Sequence, residues 1–194
     1  MTFQIRPAQR GQAKPLIGLH AKSGWGKTWT ALLLARGFVG PAGKIAMQET
    51  EAGRGEIYVG QAPVGDYIVG SMREDFSPRA YGECIAAIER EKPDALIIDS
   101  ASHEWEGIGG VLSMAADNQA AGKKGPLVWQ APKIDHQRQF MGRLIATPIP
   151  LVIVCMRAKY PMKEIKKTVR TGSGGVQQTG EKEWIRSESL EPKQ

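Results

Sequence analysis

Ala21-Lys22-Ser23-Gly24-Trp25-Gly26-Lys27-Thr28 follows the short apolar run Leu16–Leu19 and precedes a helical repeat of apolar residues. Its spacing, A/G-x-x-x-x-G-K-T, is that of a Walker A phosphate-binding loop. Glycines in such a loop let the backbone curl, so that successive N–H groups point at one phosphate. Lys27 brings a point charge to the β- and γ-phosphates, and the Thr28 hydroxyl is a hard oxygen ligand suited to Mg²⁺. A helix opening at Lys27 adds its positive end to the same anion. A chance match in a chain of this size has a probability of about 1–2 %, and the strand before and helix after it reduce that further. The expected nucleotide-binding residues are Lys22, Ser23, Gly24, Trp25, Gly26, Lys27, Thr28 and Trp29, with ATP and Mg²⁺ as cofactors. The Trp25 ring must point away from the phosphates; packing within its own chain is expected, with a neighbouring subunit or the base as alternatives.

Outward from this loop, Ala31, Leu34, Ala35 and Phe38 fall at helical spacing and define an expected buried face. Gly40-Pro41-Ala42-Gly43 stops that helix. Ile45–Met47 and Tyr67–Val69 read as short strands. Ser77-Pro78 supplies a cap and a first-turn proline for a helix that buries Tyr81, Ile85 and Ile88. Lys92-Pro93-Asp94 ends it. Ala95–Ile98 is a continuous apolar strand of the kind covered on both faces. Between Glu106 and Ala131, five glycines interrupt any helix. Pro132 is expected to open the next one, with Ile134, Met141, Leu144 and Ile145 on one side, and Leu151–Met156 is the last expected strand. Strands alternating with helices imply an α/β fold, a mostly parallel sheet flanked by helices on both faces, with ligands at the carboxyl ends of the strands.

Ala95-Leu96-Ile97-Ile98-Asp99 ends an apolar strand in a carboxylate, the Walker B pattern. Asp99 is the expected second metal residue, holding Mg²⁺ through a water opposite Thr28; the alternative is an ordinary turn or cap. The next residue is Ser100 rather than Glu, so the carboxylate that activates water must come from elsewhere.

Three segments resemble the RecA-like recombinase family of P-loop NTPases, and within it the small phage-encoded ATPases of single-strand annealing and recombination. They are Asp99-Ser100-Ala101-Ser102, Glu49-Thr50-Glu51, and Ser102-His103-Glu104-Trp105-Glu106-Gly107. Cys155-Met156-Arg157-Ala158-Lys159 is similar to a strand end of the same group. The resemblance spans roughly residues 15–160 and implies a RecA-like core. It maps the catalytic Glu onto Glu51, with Glu49 and Glu104 as rivals. It implies DNA contact at Gly122-Lys123-Lys124-Gly125 and at a glycine-hinged loop over Met162–Gly180, through Lys123, Lys124, Lys163, Lys166, Lys167 and Arg170. Family members commonly carry a Gln sensor after the last core strand, where this sequence has Arg157. A full family core also continues with more strands, which leaves truncation at residue 194 open.

Arg157 and Lys159 follow the last expected strand on one face, where either could reach a γ-phosphate, in its own subunit or across an interface. With Glu51 and Lys27 they complete the expected catalytic set. His20, His103 and His136 share no metal spacing and read as structural.

The net charge is +6. Residues 157–186 hold eight basic and three acidic side chains, so nearly all the excess lies there, as a polyanion contact or a solvated tail would require. The expected organisation is an N-terminal tail at 1–12, an ATPase core at 13–158, and a basic, Gly-containing loop and C-terminal segment at 159–194. No apolar run approaches membrane-spanning length, and Cys84 and Cys155 read as small buried hydrophobes of a reducing compartment, so a cytoplasmic location (the host's, if phage-encoded) without membrane contact is expected. The expected function is DNA-stimulated ATP hydrolysis on single-stranded DNA by a homo-oligomeric ring or filament, with a single-strand-binding protein as a further candidate partner. The alternatives are a nucleotide-switched DNA-binding or annealing module with little turnover, and a small-molecule nucleotide kinase, which lacks an evident arginine-rich lid.

Overall fold

The structure is a computed structural model that describes residues 14–159, 162–170, 176–186 and 191–192, with side chains from Lys14 to Ala158. The expected tail at 1–12 lies outside these residues. Strand β1 (Leu16–Ala21) leads into helix α1 (Lys27–Val39), then β2 (Ile45–Glu49), a 3₁₀ turn (Arg54–Tyr58), β3 (Ile68–Ser71), α2 (Pro78–Arg90) and β4 (Ala95–Asp99). A helical excursion follows: α3 (Ser102–Glu106), α4 (Val111–Ala120), α5 (Leu127–Asp135), a π-helical segment (His136–Met141) and α6 (Gly142–Ala146). The chain then returns as β5 (Leu151–Lys159), with β6 (Met162–Arg170), β7 (Val176–Arg186) and β8 (Glu191–Pro192) beyond it.

The five strands β1 to β5 form one all-parallel sheet in the order β1-β5-β4-β2-β3, and β8 pairs antiparallel with the end of β5. Side-chain alternation divides the core between the two faces of the sheet. Ile45, Met47, Ala95, Ile97, Ile153 and Cys155 meet Ala31, Leu32 and Ala35 of α1. Ala46, Leu96, Ile98, Val152 and Val154 meet Tyr81 and Ile85 of α2 with Phe140 and Leu144. Ser77 caps α2 as expected, its hydroxyl accepting the Ala80 N–H at 3.2 Å. No helix among the described residues is long and apolar enough to cross a membrane.

Several expected details are corrected. The buried face of α1 is Ala31, Leu32 and Ala35, while Leu34 and Phe38 are 43 % and 54 % exposed. The small alanines let the helix sit close on the sheet, and this turns the ridge that bears Leu34 and Phe38 outward. Pro132 lies inside α5 rather than opening it. Proline removes the N–H that would bond the carbonyl four residues back, and the Asn118 side-chain amide supplies the missing donor to Val128 O at 2.9 Å. Leu144 is buried, but Ile134 and Ile145 are 39 % and 69 % exposed. The π-helical turn between them widens the repeat and breaks the 3.6-residue phase that grouped them.

β5 extends through Arg157 and Lys159 instead of stopping at Met156. The expected loop over Met162–Gly180 is largely an antiparallel hairpin, β6 with β7. Ile165, Thr168, Val169, Val176 and Thr179 give both arms strong strand preference. Lys163, Lys166, Lys167 and Arg170 thus lie on a strand, and residues 171–175 are outside the described set.

Candidate functional site

Strand parity and register gather the expected residues at the carboxyl end of the sheet. Glu49, Asp99 and Arg157 fall on the same alternation as Met47, Ile97 and Ile153, which face α1. Glu49 lies beside Asp99, Asp99 beside Cys155, and Arg157 beside Ala21 in the ladders. Thr28 stands one turn before Ala31 and Leu32, so its side chain shares their sheet-facing side. Its hydroxyl donates to Asp99 Oδ2 at 2.5 Å across 71 residues of sequence.

The loop between β1 and α1 turns on Gly24 and Gly26, with φ of 81° and 76°. Side chains other than glycine rarely adopt these values. The Lys27 ammonium lies inside the curl and donates to the Ala21 and Lys22 carbonyls at 3.1 and 3.0 Å. The Trp25 ring does not pack within the chain as expected: it is 63 % exposed, with Lys22 Nζ 5.6 Å from its centroid. Trp29 instead packs against Tyr58, with ring centroids 5.3 Å apart and planes tilted by 44°.

Burial pushes the Asp99 carboxyl above its usual range. The Thr28 hydroxyl and the Lys27 charge oppose this, and Glu51 and Glu49 add to it. Thr28 and Asp99 present hard oxygen donors at one point, a set that fits Mg²⁺, which takes few protein ligands and completes its shell with water and phosphate. Among the described residues no group of three or more His, Cys, Asp or Glu side chains could hold a metal ion.

The candidate carboxylates differ in what they already hold. Glu49, 1 % exposed, accepts the backbone N–H groups of Glu51 and Gly53 at 2.6 and 3.1 Å and faces Arg73 at 3.5 Å. It therefore shapes the turn. Glu104, also 1 % exposed, sits on α3 with both oxygens 3.0 Å from His136 Nδ1. It lines a largely apolar cavity with Leu16, Phe140, Leu144 and Met156, residues of the α2 face. Glu51 stands at the mouth. Arg157 donates to its Oε1 through Nη2 at 2.7 Å and Nε at 3.1 Å, and Arg54 lies 3.7 Å from Oε2. Burial pushes the Glu51 carboxyl up, but the hydrogen bonds and charge of Arg157, with His103 and Arg54, outweigh it and hold the group below the usual carboxylate range.

A buried polar network fixes this mouth. The Ser102 hydroxyl accepts the Arg157 N–H at 2.8 Å, and the Ala101 N–H donates to Cys155 O at 2.9 Å. Thr50 Oγ1 accepts the Ser100 N–H at 2.9 Å and lies 2.8 Å from His103 Nδ1. Tyr81 closes the set by donating to Ser100 O at 2.6 Å.

No protein-family model matches this chain, and no curated protein sequence matches it.

The structure thus brings together Lys27, Thr28, Asp99, Glu51 and Arg157. The Lys159 side chain and those of Lys163, Lys166, Lys167 and Arg170 lie outside the described residues. Lys123 and Lys124 lie in the turn between α4 and α5, not in this cluster. Sequence reasoning missed Ser102, Thr50 and Tyr58. Asp99-Ser100-Ala101-Ser102 carried the signal for Ser102, whose hydroxyl reaches back to the adjacent strand. Tyr58 carried none, because only the fold brings the 3₁₀ turn against α1.

Proposed function

We propose that this protein is a RecA-like P-loop ATPase that acts with single-stranded DNA. The observation that carries the reading is the Thr28–Asp99 hydrogen bond at the mouth of a loop with left-handed glycines. A hydroxyl and a carboxylate far apart in sequence converge where Lys27 and the start of α1 concentrate positive charge. In this reading the backbone N–H groups of the loop and Lys27 bind the triphosphate, and the Trp29–Tyr58 pair gives the base an aromatic flank. Thr28 and Asp99 would hold Mg²⁺, which when bound neutralises charge building on the phosphate oxygens. Glu51 orients the attacking water, whose oxygen bonds to the γ-phosphorus as the bond to the ADP oxygen breaks. In the same reading Arg157 would exchange Glu51 for the γ-phosphate, giving the charge stabilisation that phosphoryl transfer requires.

The second reading, a nucleotide-switched DNA-binding module with little turnover, is favoured by one observation. Arg157 occupies Oε1 of Glu51, and a carboxylate held below its usual range is a weak base.

Calorimetry with Mg·ATP and phosphate release with and without single-stranded DNA test both. Binding heat with DNA-stimulated release supports the first reading, and binding heat with negligible release supports the second. Lys27→Ala should lower turnover by about 10²–10³-fold, the scale for losing a preorganised donor to a transition-state charge. No heat with the wild-type chain, or unchanged turnover in Lys27→Ala, overturns the site.

A further inference from the structure

A second concave site lies away from the sheet, in the hairpin formed by α4 and α5. Leu112, Ala115, Ala116 and Val128 form its apolar floor, Trp129 lines one side, and Lys123 and Lys124 stand at its rim. The cavity measures about 630 Å³, within the span of small-ligand sites. It is prebuilt, because Asn118 staples the turn in both directions. Its side-chain oxygen accepts from Lys123 Nζ at 2.7 Å, its backbone carbonyl accepts the Lys123 N–H at 3.0 Å, and its amide donates to Val128 O at 2.9 Å. That last carbonyl is the one Pro132 strips of a helical partner, so the proline, the staple and the cavity wall belong to one device. Gly122 and Gly125 hold the turn at φ of 85° and 57°, conformations glycine adopts without strain.

The lining chemistry is specific. Hydrophobic residues with an indole at one side suit a flat, weakly polar ring, and ammonium groups at the rim suit anions attached to that ring. A nucleobase on a phosphate backbone has both parts, and stacking on an aromatic side chain accepts any base. In a duplex the base faces are already stacked, so only an unpaired strand can offer one.

We propose that this groove binds an unpaired nucleobase of single-stranded DNA, stacked on Trp129 with flanking phosphates on Lys123 and Lys124. This rests on the single-stranded DNA reading above and adds to it a base-stacking platform.

The test uses the full chain and a fluorescently labelled oligothymidine, with affinity read by anisotropy across a salt series. Trp129→Leu, which keeps apolar bulk, should weaken binding about tenfold, on the scale of one lost base stack. It should leave the salt slope unchanged, and Trp129→Phe should restore most of the affinity. Lys123→Gln with Lys124→Gln should reduce the slope of log affinity against log salt by about 1.4, the share of two phosphates on a single strand. The part of the intrinsic tryptophan fluorescence quenched by DNA in the wild type should be missing in Trp129→Phe, a readout that survives if Trp129→Leu disturbs the hairpin. Oligothymidine binding that persists with unchanged affinity, slope and quenching in these variants overturns the groove and leaves the single-stranded DNA reading standing. No binding by the wild-type chain overturns both.

Discussion

The two faces of the sheet end differently at their carboxyl edge. On the α1 face the carboxyl ends of β2, β4 and β5 carry Glu49, Asp99 and Arg157, met by Thr28 and joined by Glu51. On the α2 face the same edge carries Met156, with Glu104 of α3 paired to His136 of the π-helical segment in a largely apolar cavity. Both faces bury a carboxylate almost completely, so burial alone does not mark function. Partners do. Glu104 is matched to one imidazole in a largely apolar cavity, whose lining includes Lys133 but neither Lys27 nor Thr28. Glu51 shares its surroundings with the Lys27 loop, the Thr28 and Asp99 oxygens and the Arg157 guanidinium.

That contrast is open to breakage, and the largest effect should come from exchanging the carboxylates for amides. Glu51→Gln should lower DNA-stimulated phosphate release by about 10²–10⁴-fold, the usual contribution of a positioned base, with Mg·ATP affinity measured by calorimetry retained. Glu104→Gln, on the other face, should leave release within about twofold of wild type on the same scale. Equal losses in the two variants would erase the distinction between the faces. Undiminished release in Glu51→Gln would return the role to a rival.

Next in size is a stability effect that separates Glu49 from Glu51. Glu49→Ala leaves the Glu51 and Gly53 N–H groups without their acceptor in a half-buried turn. Each orphaned donor costs about 1–3 kcal/mol when fully buried, so with both donors half-buried urea unfolding should show a loss of about 2 kcal/mol. A loss below about 1 kcal/mol would mean that water replaces the carboxylate and that Glu49 does not build the turn.

Asp99 should show the opposite sign. Its native carboxyl is held above the usual range by burial, so the native state retains that proton more tightly than the unfolded chain. The ionised group therefore costs stability at neutral pH, and the cost is relieved as pH falls through the raised native value toward 3.8. Asp99→Asn should raise the melting temperature at pH 7, keep an oxygen for Thr28, and lose Mg²⁺-dependent turnover. Its advantage over wild type should shrink as pH is lowered. Glu51 runs the other way: its stabilisation is complete above 4.5 and is lost as pH falls through its lowered native value. A melting temperature in Asp99→Asn that is lower at pH 7 would refute the reading of Asp99 as a strained functional carboxylate.

Much of this site was legible because its rules are local. The spacing from Ala21 to Thr28 follows from the backbone needs of a glycine-turned loop between strand and helix, and the apolar run ending in Asp99 from those of a covered strand. Glu51 and Arg157 were separately marked as candidates, yet nothing in the chain said that they bond each other. That pairing depends on β5 lying between β1 and β4, a property of the fold. The missed faces have physical causes as well. A π turn put Ile134 and Ile145 out of phase, and two small alanines set how α1 rolls on the sheet. The Pro132 boundary was misread because a distant asparagine repairs the bond that proline breaks. Lys123 and Lys124 were legible as charge, while Trp129 was not, because its place beside them is made by the α4–α5 packing.

The smallest expected effect falls on the most conspicuous residue of the loop. Trp25 is 63 % exposed with Lys22 over its ring, and such surface cation–π contacts contribute about 0.5–1 kcal/mol. Trp25→Ala should therefore cost no more than about 1 kcal/mol in urea unfolding. If the cradle works through its backbone N–H groups, Mg·ATP affinity should change by less than about threefold, under 1 kcal/mol. Thr28, three residues on, has the opposite character: its side chain faces Asp99 and its value lies in the hydroxyl. A tenfold loss of nucleotide affinity in Trp25→Ala with stability intact would show that the ring itself meets the nucleotide, and the division of the loop into a working backbone and a solvent-facing side chain would fail at this residue.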